Sequence, residues 1–185
     1  MSDTRAKNIR KTHALAACSL TAALGTALLF SGGLIPVMTY AAPLVVAVLL
    51  IPIKREYRAK WAWPVWFATA VLSLLLCPDK EAALFYLFLG YYPILKESFD
   101  RVKAKPVRFL VKLLFFVVSI GLMEALIAWL FQMDILIREL EEVGIVAGLL
   151  FFALLAAVMM IYDLVLSRIA LLYETRLHPK LKHWR

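Results

Sequence analysis

Apolar positions dominate this chain in long runs separated by short charged stretches. Six runs stand out, over residues 14–31, 37–53, 61–77, 81–95, 107–131 and 144–173. Roughly 20 consecutive apolar residues cross the hydrocarbon core as one α-helix. The pattern therefore predicts an all-α, polytopic membrane protein: six transmembrane helices forming a single integral membrane domain over residues 1–185. The first run is long and lacks a clear cleavage site, so it is expected to stay in the mature protein. Gly32-Gly33 ends it, and Leu34-Ile35-Pro36 forms a short link. The entry to the third, Trp61-Ala62-Trp63-Pro64-Val65-Trp66, reads as an aromatic interface belt.

The fourth run departs from this pattern. Ala82–Leu89 is uninterrupted, but Gly90-Tyr91-Tyr92-Pro93 follows before Lys96-Glu97. Gly90 permits close backbone approach, and Pro93 removes a donor and disfavours helix at Tyr92. A break at membrane depth is costly unless the freed groups face protein, water or ligand. The break reads as a hinge or partner contact, Gly90, Tyr91, Tyr92 and Pro93, or as a plain proline kink near an interface. At the other end, Pro78-Asp79-Lys80 makes a tight turn in which Asp79 suits a helix N-cap and Glu81 a first turn.

Composition agrees. The 185 residues are 63% hydrophobic, with mean hydropathy +0.81, beyond the roughly 45–50% of soluble domains. The formal net charge of +8 would suit nucleic acid, but its distribution assigns it to topology. The N-tail, the Lys54–Lys60 and Lys96–Arg108 loops and the C-tail hold 19 of the 21 Lys and Arg, counting Lys112 and Arg168 with the ends they flank. Lys80 and Arg138 lie opposite. The positive-inside rule then places both termini in the cytoplasm of a bacterial plasma membrane, with basic clusters touching anionic lipid. Lys112, near the start of the fifth span, can snorkel to headgroups.

Candidate chemistry is sparse. The chain has no HExxH, GxSxG, Walker loop or CxxC pair, and His13, His178 and His183 lie outside the spans. No enzyme activity, cofactor or metal site is expected. Cys18 and Cys77 read as small apolar residues. Glu124 is the acidic residue well inside a span, either a ligand contact or a carboxylate bonded to a neighbouring helix. Trp129 and Gln132 follow it. If a ligand enters from outside, Asp79, Glu81 and Tyr86 are placed to meet it, with Glu124 at comparable depth. Asp163 and Arg168, five apart, do not share a face; either can pair with the inner loops.

Small residues recur four apart in span one: Ala14, Cys18, Ala22 on one face and Ser19, Ala23, Ala27 on another, where a second helix can approach. The Ala23-to-Ala27 spacing, the Ile35-Pro36 link, six spans, inside termini and chain length together resemble the S components of energy-coupling factor vitamin transporters. That resemblance implies capture of a small nutrient from outside, docking through span one on a transmembrane coupling subunit, and ATP hydrolysis by two partner ATPases. It places the ligand in the general region of Glu124 and the outer end of span four. Bacterial cell-shape scaffolds share the span count. A lipid-handling or flippase protein, with broken span four and Glu124 lining a headgroup path, is a third reading.

Overall fold

The computed structural model describes residues 2–32, 38–131, 150, 153–154, 157–173 and 175. The link at residues 33–37, Gln132, the acidic stretch from Met133 to Val143 and the basic C-tail lie outside them. Among the described residues the regular structure is all helix, with no strand.

Seven helices precede residue 132: α1 (Ser2–Gly32), α2 (Met38–Val48), α3 (Leu50–Tyr57), α4 (Ala59–Leu76), α5 (Lys80–Leu89), α6 (Tyr92–Asp100) and α7 (Lys105–Phe131). An eighth, α8, covers residues 157–172. Among the described residues, four stretches are long and apolar enough to cross a membrane: Lys11–Gly32, Met38–Tyr57, Ala59–Leu76 and Lys105–Ile127. They match the first, second, third and fifth expected spans. The expected sixth falls partly outside the described residues.

The expected span over 81–95 is not one helix. It is split into α5, of 10 residues, and α6, of 9. At 1.5 Å per residue neither crosses a bilayer alone. Two basic stretches read as loops are in part helical: Lys54–Tyr57 ends α3 and Lys96–Asp100 ends α6. Lys, Arg and Glu are good helix formers, and Glu97 pairs with both Lys54 and Arg55, which stabilises the helical ends.

The chain forms two compact units, Met1–Glu97 and Ser98–Arg185, with the boundary inside α6. The first unit is two helical hairpins. In one, α1 runs antiparallel to α2: Gly25 lies against Val46 and Gly32 against Ala42. In the other, α4 runs antiparallel to α5, with Trp66 beside both Tyr86 and Tyr91. The hairpins lie side by side in the same sense. Cys18 meets Trp61 and Gly25 meets Thr69, so α1 and α4 are parallel. Tyr40 meets Glu81 and Lys54 meets Ile94, so the second arms are parallel too. The core where they join holds Cys18, Ala22, Leu50, Ile53, Ala62, Val65 and Ile94. Gly25 is required there: a Cβ would stand 2.9 Å from Val46 Cγ1 and 3.1 Å from Thr69 Cγ2.

The hairpins are joined through one residue, Arg58, between the end of α3 and the start of α4. Its φ of 75° and ψ of 163° are torsions favoured by glycine. In the second unit, α7 turns one stripe inward, Lys112, Phe116, Ser119, Ile120, Met123 and Ile127. Its exposed face carries Phe109, Leu110, Leu114, Val118 and Leu122, an apolar surface suited to lipid. The buried positions of α8, Met159, Tyr162, Asp163 and Leu166, repeat at helical spacing.

Candidate functional site

The Pro78 turn shows how its polar residues are used. Asp79 has extended torsions, and its carboxylate accepts from the Ala82 amide at 3.0 Å, capping α5. Lys80 folds back on α4, its Nζ donating to the carbonyls of Leu74 at 2.8 Å and Cys77 at 2.9 Å. These are carbonyls left over at a helix end. Glu81 accepts a hydrogen bond from the Tyr40 hydroxyl, and the Tyr40 ring meets Phe85 edge-on. Asp79 and Lys80 therefore serve the turn itself, while Glu81 ties α5 to α2. Cys77 is buried in this turn. Burial pushes its thiol up; Lys80 opposes the shift and Asp79 adds to it.

Tyr86, only 1% exposed, points into the bundle beside Thr69. Its carbonyl accepts from Gly90 N at 2.7 Å and from Trp66 Nε1 at 3.4 Å. The break follows at once. Gly90 ends α5, and a Cβ there would lie 2.4 Å from the Tyr86 carbonyl oxygen and 2.7 Å from its ring, so the tight turn excludes any side chain. Pro93 falls in the first turn of α6, where a missing N–H costs nothing. The Tyr91 carbonyl receives Ile94 N at 2.9 Å and Leu95 N at 3.3 Å. The freed backbone is thus largely met by protein.

The two tyrosines of the break face differently. Tyr91 stacks on Trp63 with centroids 5.9 Å apart and meets Trp66 edge-on at 5.1 Å. Tyr92 is fully buried. Beyond the break, Lys54 Nζ donates to the carbonyls of Pro93 at 3.3 Å and Ile94 at 3.0 Å, and pairs with Glu97 at 3.1 Å. Sequence reading placed Lys54 in a loop and did not find this contact.

The residues expected to form one nutrient pocket divide between the units. Asp79, Glu81 and Tyr86 belong to the first, Glu124 and Trp129 to the second. Glu124 is half-buried on α7, whereas Trp129 is 76% exposed. Five residues apart on a helix, they turn away from one another.

The expected docking stripe on α1 also divides. Ala14, Cys18 and Ala22 are buried inside their own unit, Cys18 lying 3.9 Å from the Trp61 carbonyl. The stripe is used to bring α4 close. Ala23 and Ala27 face outward with Ser19.

Lys112 corrects another expectation. It does not snorkel: it is 5% exposed, with Asp100 Oδ1 at 2.6 Å and Asp163 Oδ2 at 2.9 Å. The expected partner of Asp163 in an inner loop is therefore a lysine within α7. Its burial makes an uncompensated ammonium there expensive, so the carboxylates hold it. A signal did exist: Lys112 falls on the same helical stripe as Phe116, Ser119 and Met123. No family model matches this chain, and no curated protein or solved structure does either.

Proposed function

We propose that this protein is the membrane-embedded, substrate-binding subunit of an uptake transporter for a small nutrient. In this reading it has six spans with both termini in the cytoplasm of a bacterial plasma membrane. It does no chemistry itself and is energised by partner ATPases through a coupling subunit. The observation that supports the reading is the broken fourth segment. α5 and α6 are each too short to cross, yet they sit in a bundle beside helices that can. Interrupted helices are kept at membrane depth where they line a substrate path. The outward Ala23–Ala27 face of α1 is the surface left for a coupling subunit, since Ala14, Cys18 and Ala22 are covered.

Native mass spectrometry of the purified protein tests this. A retained small molecule, with co-purifying ATPases, supports it. Ala23→Phe or Ala27→Phe then breaks the assembly while ligand stays bound. A protein that carries no small molecule and assembles normally with both variants would sink the proposal.

A further inference from the structure

The second arms of the two hairpins share five identical residues of twenty at one fixed shift. Residues 38–57 laid on residues 79–98, a shift of 41, match Ala41 with Ala82, Ala42 with Ala83, Pro52 with Pro93, Ile53 with Ile94 and Glu56 with Glu97; Arg55 falls on Lys96. Contacts between the arms cluster about that shift: Tyr40 bonds to Glu81, 41 residues on, and Lys54 reaches Pro93, Ile94 and Glu97, 39, 40 and 43 on. Ile53 and Ile94 are buried in one core.

The irregularities correspond as well. Leu49 separates α2 from α3 and Gly90 ends α5, both at right-handed helical torsions, φ −63° and ψ −17° against φ −63° and ψ −24°. Each stands three residues before a proline. Pro52 and Pro93 cannot donate the bond that would close on Val48 and Leu89, the residues four back, and so both arms yield at one level. Because the arms are parallel and in this register, the two weak points lie at matching heights.

Of the three charged residues Lys54, Arg55 and Glu56, Lys54 alone lacks a charged counterpart: it falls on Leu95. Lys54, its side chain 10% exposed, reaches instead across to the other copy, to the Pro93 and Ile94 carbonyls and to Glu97, which also holds Arg55 at 3.4 Å. The charged end of one arm is fastened onto the proline signature of the other.

We propose that Leu49 and Gly90 form one paired hinge and that Lys54 is the catch that holds it shut. Tyr86 and Tyr92, which flank the break, are closed off from solvent. Access to that level requires the halves beyond the breaks to swing. Lys54 and Arg55 hold α3 and α6 to one another, so the halves part only when that contact opens. Interrupted segments at corresponding positions of two halves are where membrane carriers place such motion. The hinge stands on the repeat and the catch, whether or not the uptake reading holds.

Spin labels at Leu76 on α4 and Leu95 on α6, with Cys18 and Cys77 replaced by Ala, read the hinge by double electron–electron resonance in the full-length protein. The parent is expected to show one distance. Lys54→Met, which keeps the length but removes the ammonium, adds a second. Glu97→Gln, which keeps the shape and removes the carboxylate charge, adds the same second distance. Distributions in both variants that superimpose on the parent's overturn the proposal, as does a parent that already shows two. Loss or retention of ligand binding bears on the uptake reading and not on this result.

Discussion

Lys112 on α7 bonds Asp163 on α8, 51 residues away, at 2.9 Å, and shares its ammonium with Asp100 at 2.6 Å. One cation thus ties three separate stretches of the second unit. Lys112 and Asp163 are nearly enclosed, with side chains 6% and 12% exposed, whereas Asp100 is 40% exposed. Removing one member of a buried pair strands the other charge, at about 3–5 kcal/mol. Lys112→Met is expected to lower stability by about 3 kcal/mol, read by denaturation in detergent micelles. Adding Asp163→Leu removes the stranded carboxylate and recovers much of the loss. A double variant as weak as the single one would refute the pairing.

Asp79 serves as a cap rather than as a free carboxylate. Asp79→Ala should cost about 1 kcal/mol, and Asp79→Asn a small fraction of that, since Asn caps as well as Asp. Thermal unfolding of the two variants separates the roles. If Asn were as damaging as Ala, the charge of Asp79 would matter beyond the cap.

Gly25 and Gly121 make a matched pair of opposite sign. At Gly25 a methyl meets Val46 and Thr69 at 2.9 Å and 3.1 Å, whereas at Gly121 nothing among the described residues lies within 4 Å. Gly25→Ala forces α1 away from α2 and α4 and should destabilise by about 1–3 kcal/mol. Gly121→Ala gains helix propensity of roughly 0.5–1 kcal/mol. Equal melting points for the two variants would contradict the close packing of α1.

Cys77 gives a pH-dependent test. Burial raises its thiol above the ordinary value, so less thiolate exists at neutral pH than in the unfolded chain. Maleimide labelling of a Cys18→Ala variant should be slow when folded and fast after denaturation. The gap should narrow as pH rises toward the raised value. Fast labelling of the folded protein at pH 7 would show that Cys77 is not enclosed.

The parts legible from sequence are those set by local pattern. Apolar length finds α1, the α2–α3 arm, α4 and α7. Gly90 and Pro93 mark the break, and Asp79 announces the start of α5. The rest depends on partners distant in the chain. Two faces of α1 carry small residues at equal spacing, and only the position of α4 decides that Ala14, Cys18 and Ala22 turn inward while Ala23 and Ala27 do not. Lys112 has the reach to snorkel, and it takes Asp163, half a hundred residues on, to draw it inward. Lys54–Lys60 reads as a loop, yet α3 continues to Tyr57, where Glu97 of the other hairpin neutralises Lys54 and Arg55. The shift-of-41 correspondence is visible in the letters alone, but five matches gain weight only when the same shift recurs between touching residues.

Along the chain, Arg58 alone links the two hairpins. A longer linker would let each hairpin move at leisure. A single residue gives no slack, and its torsions leave little freedom to twist. A tilt of α3 must therefore reach α4 directly, and through α4 the neighbours it touches, α1 and α5. The corner works as a crank: torque applied at one arm is delivered to the far hairpin.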